Sequence, residues 1–221
     1  MIGDPGMIVL FTVLLPVIGA CGVLLLRNSP NAREAATLVT GGVTFFHVLA
    51  LLKLVRAGER PRFDMLEVVP DVWLAFEVEP LGMVFALVAG FLWPITSLYA
   101  IGYMRGHHEE NQTRFFFFFA IAIAGAMGVA FSANLFTLFV FYEFLTFCTV
   151  PLVTHHQSEE AKKSGRIYLG ILLTTSVGLQ LVAIIWTWVL AGRLDFVDGG
   201  ILAGTASTGV LGTILVLYVY G

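Results

Sequence analysis

Asn134-Leu-Phe-Thr-Leu-Phe-Val-Phe-Tyr-Glu143-Phe-Leu-Thr-Phe-Cys-Thr-Val-Pro-Leu-Val153 is an apolar run of twenty residues with one charge, at its tenth position. A helix needs about 20 apolar residues to cross the hydrocarbon core, so the run reads as a membrane span with a carboxyl near the midplane. It lacks the twofold alternation of a membrane β-strand. The same reading extends outward to six more runs, 7–26, 35–52, 81–101, 115–131, 167–191 and 201–221, each bounded by charged or polar residues. The chain is therefore expected to be an all-α integral membrane protein of about seven transmembrane helices, a single membrane domain over residues 1–221.

Composition agrees. Lys and Arg number 12 and Asp and Glu 15 in 221 residues, against 58% hydrophobic residues and a mean hydropathy of +0.89. One water-soluble core cannot hide that much apolar surface. The net charge of -3 argues against nucleic acid as a partner and makes the lipid bilayer the expected surroundings. Cys21 and Cys148 fall inside apolar runs and read as small core residues. A secretory leader is disfavoured for the first run, because Asp4 replaces the usual basic flank and the run continues beyond Ala20-Cys21.

Lys and Arg in the connections set an orientation. Arg27, Arg33, Arg105, Arg114, Lys162, Lys163 and Arg166 fall on one side; Lys53, Arg56, Arg60, Arg62 and Arg193 fall on the other. The bias makes the first side cytoplasmic and puts the N-terminus outside. His107, His108, His155 and His156 then sit in cytoplasmic loops, with no spacing or carboxylate frame that suits a metal site. The outer loop 53–80 carries a short strand pattern at 72–79, where Leu74, Phe76 and Val78 alternate with polar neighbours. Such a strand needs a partner, in a hairpin or on another subunit.

Of all the charged residues, Glu143 alone lies inside a span. Charge at the bilayer centre costs about 2.5–3.5 kcal/mol by insertion scales, which marks an intramembrane carboxyl as a functional group. Low dielectric disfavours its charge and a neighbouring cation restores it, the property a proton relay requires. Thr146 lies one turn away and Thr149 next along, both candidates to hold water near the carboxyl, while Pro151 interrupts the helix further on. Thr174, Thr175 and Ser176, with Tyr168 and Gln180 at other levels, read equally as a hydrated path or as small-residue packing. His47 is a weaker candidate in the second run. The run Phe115–Phe119 reads as lipid-facing filler. No residue set calls for a cofactor or a metal.

The stretch Gly128-Val-Ala-Phe-Ser-Ala-Asn134 through Tyr142-Glu143-Phe-Leu-Thr146, with Lys163-Ser-Gly-Arg166-Ile-Tyr-Leu, resembles the antiporter-like membrane subunits. These occur in respiratory complex I, membrane-bound hydrogenases and Mrp-type multisubunit cation/proton antiporters, and the likeness is greatest to the D subunit of the last. The resemblance implies a fourteen-helix fold with two inverted five-helix repeats and a hairpin in the outer loop. It implies a transporter subunit, not an enzyme, of the bacterial cytoplasmic (inner) membrane. Its partners would be other membrane subunits, and its cargo protons with sodium or potassium. It matches Glu143 to the family's relay glutamate, which works with a lysine on a broken seventh helix. The last two runs carry no lysine and the chain stops at Gly221 in an apolar run. The expectation is thus the first half of a longer subunit, shortened or encoded by a split gene. A proton-pumping subunit of a redox complex is the alternative function. A seven-helix receptor or a membrane enzyme is disfavoured: His47 and Glu143 lie on different helices, and paired groups at one depth are lacking.

Overall fold

A computed structural model describes residues 4–221. Helices α1 (Pro5–Leu25), α2 (Pro30–Arg56), α3 (Pro80–Gly106), α4 (Gln112–Ala130) and α5 (Leu135–Val153) run alternately up and down. A hairpin, β1 (Arg62–Val69) and β2 (Val72–Glu77), joins α2 to α3. Helix α6 (Glu159–Thr175) passes through a π-helical turn, Ser176–Gln180, straight into α7 (Leu181–Ala191). A looped segment then leads to α8 (Thr208–Tyr220). Six helical rods, counting Glu159–Ala191 as one, are long and apolar enough to cross a membrane, which makes the chain a multi-pass membrane protein.

The seventh span is shorter than its sequence suggests. Residues 201–206 form turns, and α8 has only 13 residues. Gly199, Gly200 and Gly204 adopt φ of 87°, 95° and 74°, left-handed backbone that ends a helix however apolar its neighbours are.

Prolines open α1, α2 and α3, where the missing N–H costs nothing. Helices α1–α4 pack into one bundle with three apolar clusters along its length. Beneath the hairpin, Val9, Leu51, Phe76, Met83, Met127 and Phe131 are buried together. Ala20, Trp93 and Ala120 follow, then Val23, Ala100 and Phe116 at the far end. Phe116, expected among the lipid-facing residues, is fully buried instead. Conversely Cys21, read as a core residue, is exposed on α1, an ordinary position for a small apolar side chain when the solvent is lipid.

The hairpin is also a lid on the bundle. Bulges at Asp64/Leu66 and Glu67/Val69 put extra residues in β1, while over 72–78 Val72, Phe76 and Val78 bury with twofold alternation and Ala75 buries on the other face, against Ala133 and Thr137. The backbone of Glu77 donates to the carbonyl of Phe131 at 2.7 Å, and that of Ala133 to the carbonyl of Ala75 at 3.0 Å. Residues 131–134, between α4 and α5, thus act as a third, irregular strand.

Candidate functional site

The entry to α5 is fixed by side chains. Asn134 Oδ1 accepts from the backbone N–H of Thr137 at 2.8 Å, capping the helix. Its Nδ2 donates to the carbonyl of Trp73 at 2.8 Å. Thr137 Oγ1 accepts from the N–H of Ala75 at 3.0 Å and donates to the Trp73 carbonyl at 3.3 Å. Asn134 is 2% exposed and Thr137 0%. Two polar side chains at the head of α5 therefore bolt it to β2. Neither residue was singled out from sequence for this role, because the partner is backbone some sixty positions away; the N-cap signal of Asn134 was the available clue.

Along its length α5 packs against α4 at close range. A Cβ on Gly128 would overlap the ring of Phe141, and one on Gly125 would come within 3.2 Å of Phe144. Small residues permit this approach, the usual way helices associate in lipid. The far end of α5 is held by Arg114, whose Nη2 donates to the carbonyls of Thr154 at 3.1 Å and His155 at 2.9 Å, among the last groups the helix leaves unpaired.

Glu143 lies between these two anchors. Both of its carboxyl oxygens are enclosed and neither has a hydrogen-bond partner. Its depth follows from the neighbouring helix. The hydroxyls of Thr149 on α5 and Tyr168 on α6 approach to 3.4 Å, and the two helices are antiparallel. At about 1.5 Å per residue, Glu143 lies about 9 Å nearer the start of α5 than this contact, in the direction in which α6 runs toward its π turn. π turns insert one residue into a helix and recur at functional sites. The Oε1 of Gln180, at the far end of this turn, is likewise buried without a donor.

The other candidates divide. Thr146 is buried one turn from Glu143, and Ser176 is buried in the π turn. Thr149 donates to the carbonyl of Thr146 at 2.9 Å, and Ser176 points at that of Leu173 at 3.4 Å. Thr174 and Thr175 bond back to Gly170 and Leu172 and line a shallow groove on α6 with Ile167 and Ile171. Back-bonded hydroxyls keep only their lone pairs for a water or an ion. His47 donates to the carbonyl of Val43 at 2.9 Å on α2, a helix that packs on α1 and α3 and not on α5. Thr146 thus lies one turn from Glu143 on α5, Thr149 lies a further turn away beside Tyr168, and His47 sits on another helix.

Residues 70–116 match the family described as NADH-Ubiquinone oxidoreductase (complex I), chain 5 N-terminus. Among curated proteins the chain is similar to mnhD2 of Staphylococcus aureus strain MRSA252, named as a candidate antiporter subunit. Identity is 26% over 191 residues, 86% of this chain and 37% of the relative. The chain thus spans little more than a third of the length of the relatives it matches. Its fold matches a chain of an archaeal membrane-bound sulfane sulfur reductase, with TM-score 0.76, 21% identity, and coverage of 94% of this chain and 32% of that one. It also matches a chain of respiratory complex I from Thermus thermophilus, with TM-score 0.68, 16% identity, and coverage of 95% and 42%. Over most of its length the chain is thus similar in sequence to an antiporter subunit, and it shares its fold with chains of two respiratory membrane complexes.

Proposed function

We propose that the chain works within a proton-translocating, antiporter-like subunit of a multisubunit cation/proton antiporter, with Glu143 as its mid-membrane proton relay. The observation that carries this reading is the enclosed carboxyl of Glu143, without donor or cation, within a helix long and apolar enough to cross a membrane. On this reading the carboxyl takes up a proton and hands it on, driven by an electrostatic event elsewhere in the assembly. Thr146, one turn away, offers an acceptor for a transient water, and Thr149 a further one toward Tyr168. The complete unit, on this reading, is a fourteen-helix fold with inverted repeats, oriented with the N-terminus and hairpin outside the bacterial cytoplasmic membrane. Its partners are other membrane subunits, and sodium or potassium is the exchanged ion.

The test is cation/proton exchange in everted vesicles carrying the whole assembly. Glu143→Gln is expected to abolish exchange while the assembly still forms. Glu143→Asp is expected to keep part of the rate, since it preserves a titratable carboxyl one methylene away. Normal exchange by Glu143→Gln would sink the proposal. A second reading, a proton-pumping subunit of a redox complex, is supported by the complex I family match. It predicts that the same variants lose redox-driven proton uptake and leave exchange driven by a sodium gradient absent in both wild type and variant.

A further inference from the structure

The end of the molecule opposite the hairpin contains an open cavity of about 780 Å³ that the carboxyl site does not use. Arg27, Arg33 and Arg114 line it. Two helices also begin there, α2 at Pro30 and α4 at Gln112, and neither Ser29 nor Asn111 supplies a side-chain cap. Uncapped first-turn N–H groups carry the positive end of the helix dipole and are preorganised for an anion.

Arg33 is unusual for a side chain at such a position. It is only 5% exposed, with its guanidinium 5.5 Å from the centre of the Phe116 ring. Nη1 donates to Thr113 at 3.0 Å, and Nη2 to Gln112 at 2.9 Å and Glu34 at 3.3 Å. Its Nε is buried with no partner, as is the Nε of Arg114. Glu34 is shared between Arg33 and Arg105, and Glu109, the acidic residue on the cavity wall, stands 3.9 Å from His156. Arg27 has no ion pair among the described residues. Positive charge is therefore in excess around the cavity, and two of its lining arginines each keep an unspent Nε donor.

We propose that this cavity binds the phosphate of an anionic phospholipid headgroup. A phosphodiester satisfies arginine donors and helix N-termini together. The apolar rim selects the lipid over a free anion: Leu24, Phe117 and Phe118 line the same opening, and Leu25 beside it is 84% exposed. Basic pockets between helix ends at the bilayer surface suit this class of ligand.

The test uses the assembly in nanodiscs, with native mass spectrometry counting retained phosphatidylglycerol against phosphatidylcholine. Wild type is expected to retain phosphatidylglycerol preferentially, and millimolar inorganic phosphate is expected not to displace it. Arg27→Gln should weaken retention about fivefold, the effect of one arginine near a lipid headgroup. Arg33→Gln should weaken it further; if that variant fails to fold, Arg27→Gln still decides, because Arg27 holds no ion pair. Arg193→Gln, at the hairpin end, should change nothing. Equal retention of both lipids, an unaffected Arg27→Gln, or an equal loss with Arg193→Gln would overturn the proposal. Displacement by inorganic phosphate would overturn the lipid as its ligand.

Discussion

The two halves of the molecule are built differently. Helices α1–α4 bury three stacked clusters, with Trp93, Phe116, Phe131 and Met127 among the fully enclosed side chains. In the other half, α5 buries Thr137, Thr146 and Cys148, α6 only Gly165, the π turn Ser176, α7 Ala183, Ile184 and Thr187, and α8 only Ile214. Many of its apolar residues face outward, as at Ile171, Val189 and Val219, which are 60%, 71% and 68% exposed. The compact half supplies a rigid frame, while the loosely packed half contains the lone carboxyl and the π turn. Helix α5 is the hinge between the two, held by Asn134 at one end, Arg114 at the other and Gly128 between them.

If the frame positions the carboxyl, breaking the α4–α5 contact should have the largest effect. Gly128→Ala forces the Phe141 ring aside two residues from Glu143 and is expected to cost about 1–3 kcal/mol, as overpacking does. Thermal unfolding of the purified variant measures the cost. Gly102→Ala, where a Cβ meets nothing within 4 Å, should leave stability unchanged or slightly improved. Next in size is the cap: Asn134→Ala removes the acceptor of the Thr137 N–H and one of the two donors on the Trp73 carbonyl, for a loss of about 1–2 kcal/mol. Hydrogen exchange should speed up in the first turn of α5 and in β2, and leave α1 unaffected. Equal loosening of both halves would refute the division drawn above.

The smallest effect is on pH dependence. Burial holds the His155 imidazole below its ordinary value of 6.5; Arg114 and His156 add to this and Glu109 opposes it. The unfolded chain therefore takes up a proton at a higher pH than the folded one does. Stability contributed by neutral His155 is full above about 6.5 and falls as the pH drops from there to its lowered folded value. His155→Gln should flatten the unfolding temperature across that window. An unchanged slope in this variant would show that other groups set it.

Much of this architecture was legible because lipid imposes one rule on every span: apolar runs between charges become helices. The same rule hid the details. Hydropathy does not register φ, so the turns over 201–206, with left-handed Gly204, read as part of a span. Nor does it register hydrogen-bond spacing, so 167–191 read as one regular helix despite the turn at Ser176–Gln180. Arg33 and Arg105 served in the sequence as loop charges that mark a side; in the fold both belong to helix ends and share Glu34. Glu143 stood out by charge alone. The tethers of Asn134 and Thr137 did not, since what they hold is main chain brought near only by folding.

The π turn has a mechanical consequence. An α-helix advances about 100° per residue, so one additional residue rotates everything beyond it by that angle about the rod. Tyr168 before the turn meets Thr149, and Thr187 after it meets Tyr218 at 3.1 Å. In an uninterrupted α-helix these two contacts would differ in azimuth by the missing 100°, and one of them would face away from its partner. The turn thus sets the phase between the two ends of the rod, bringing the residue that meets α5 and the residue that meets α8 near one heading.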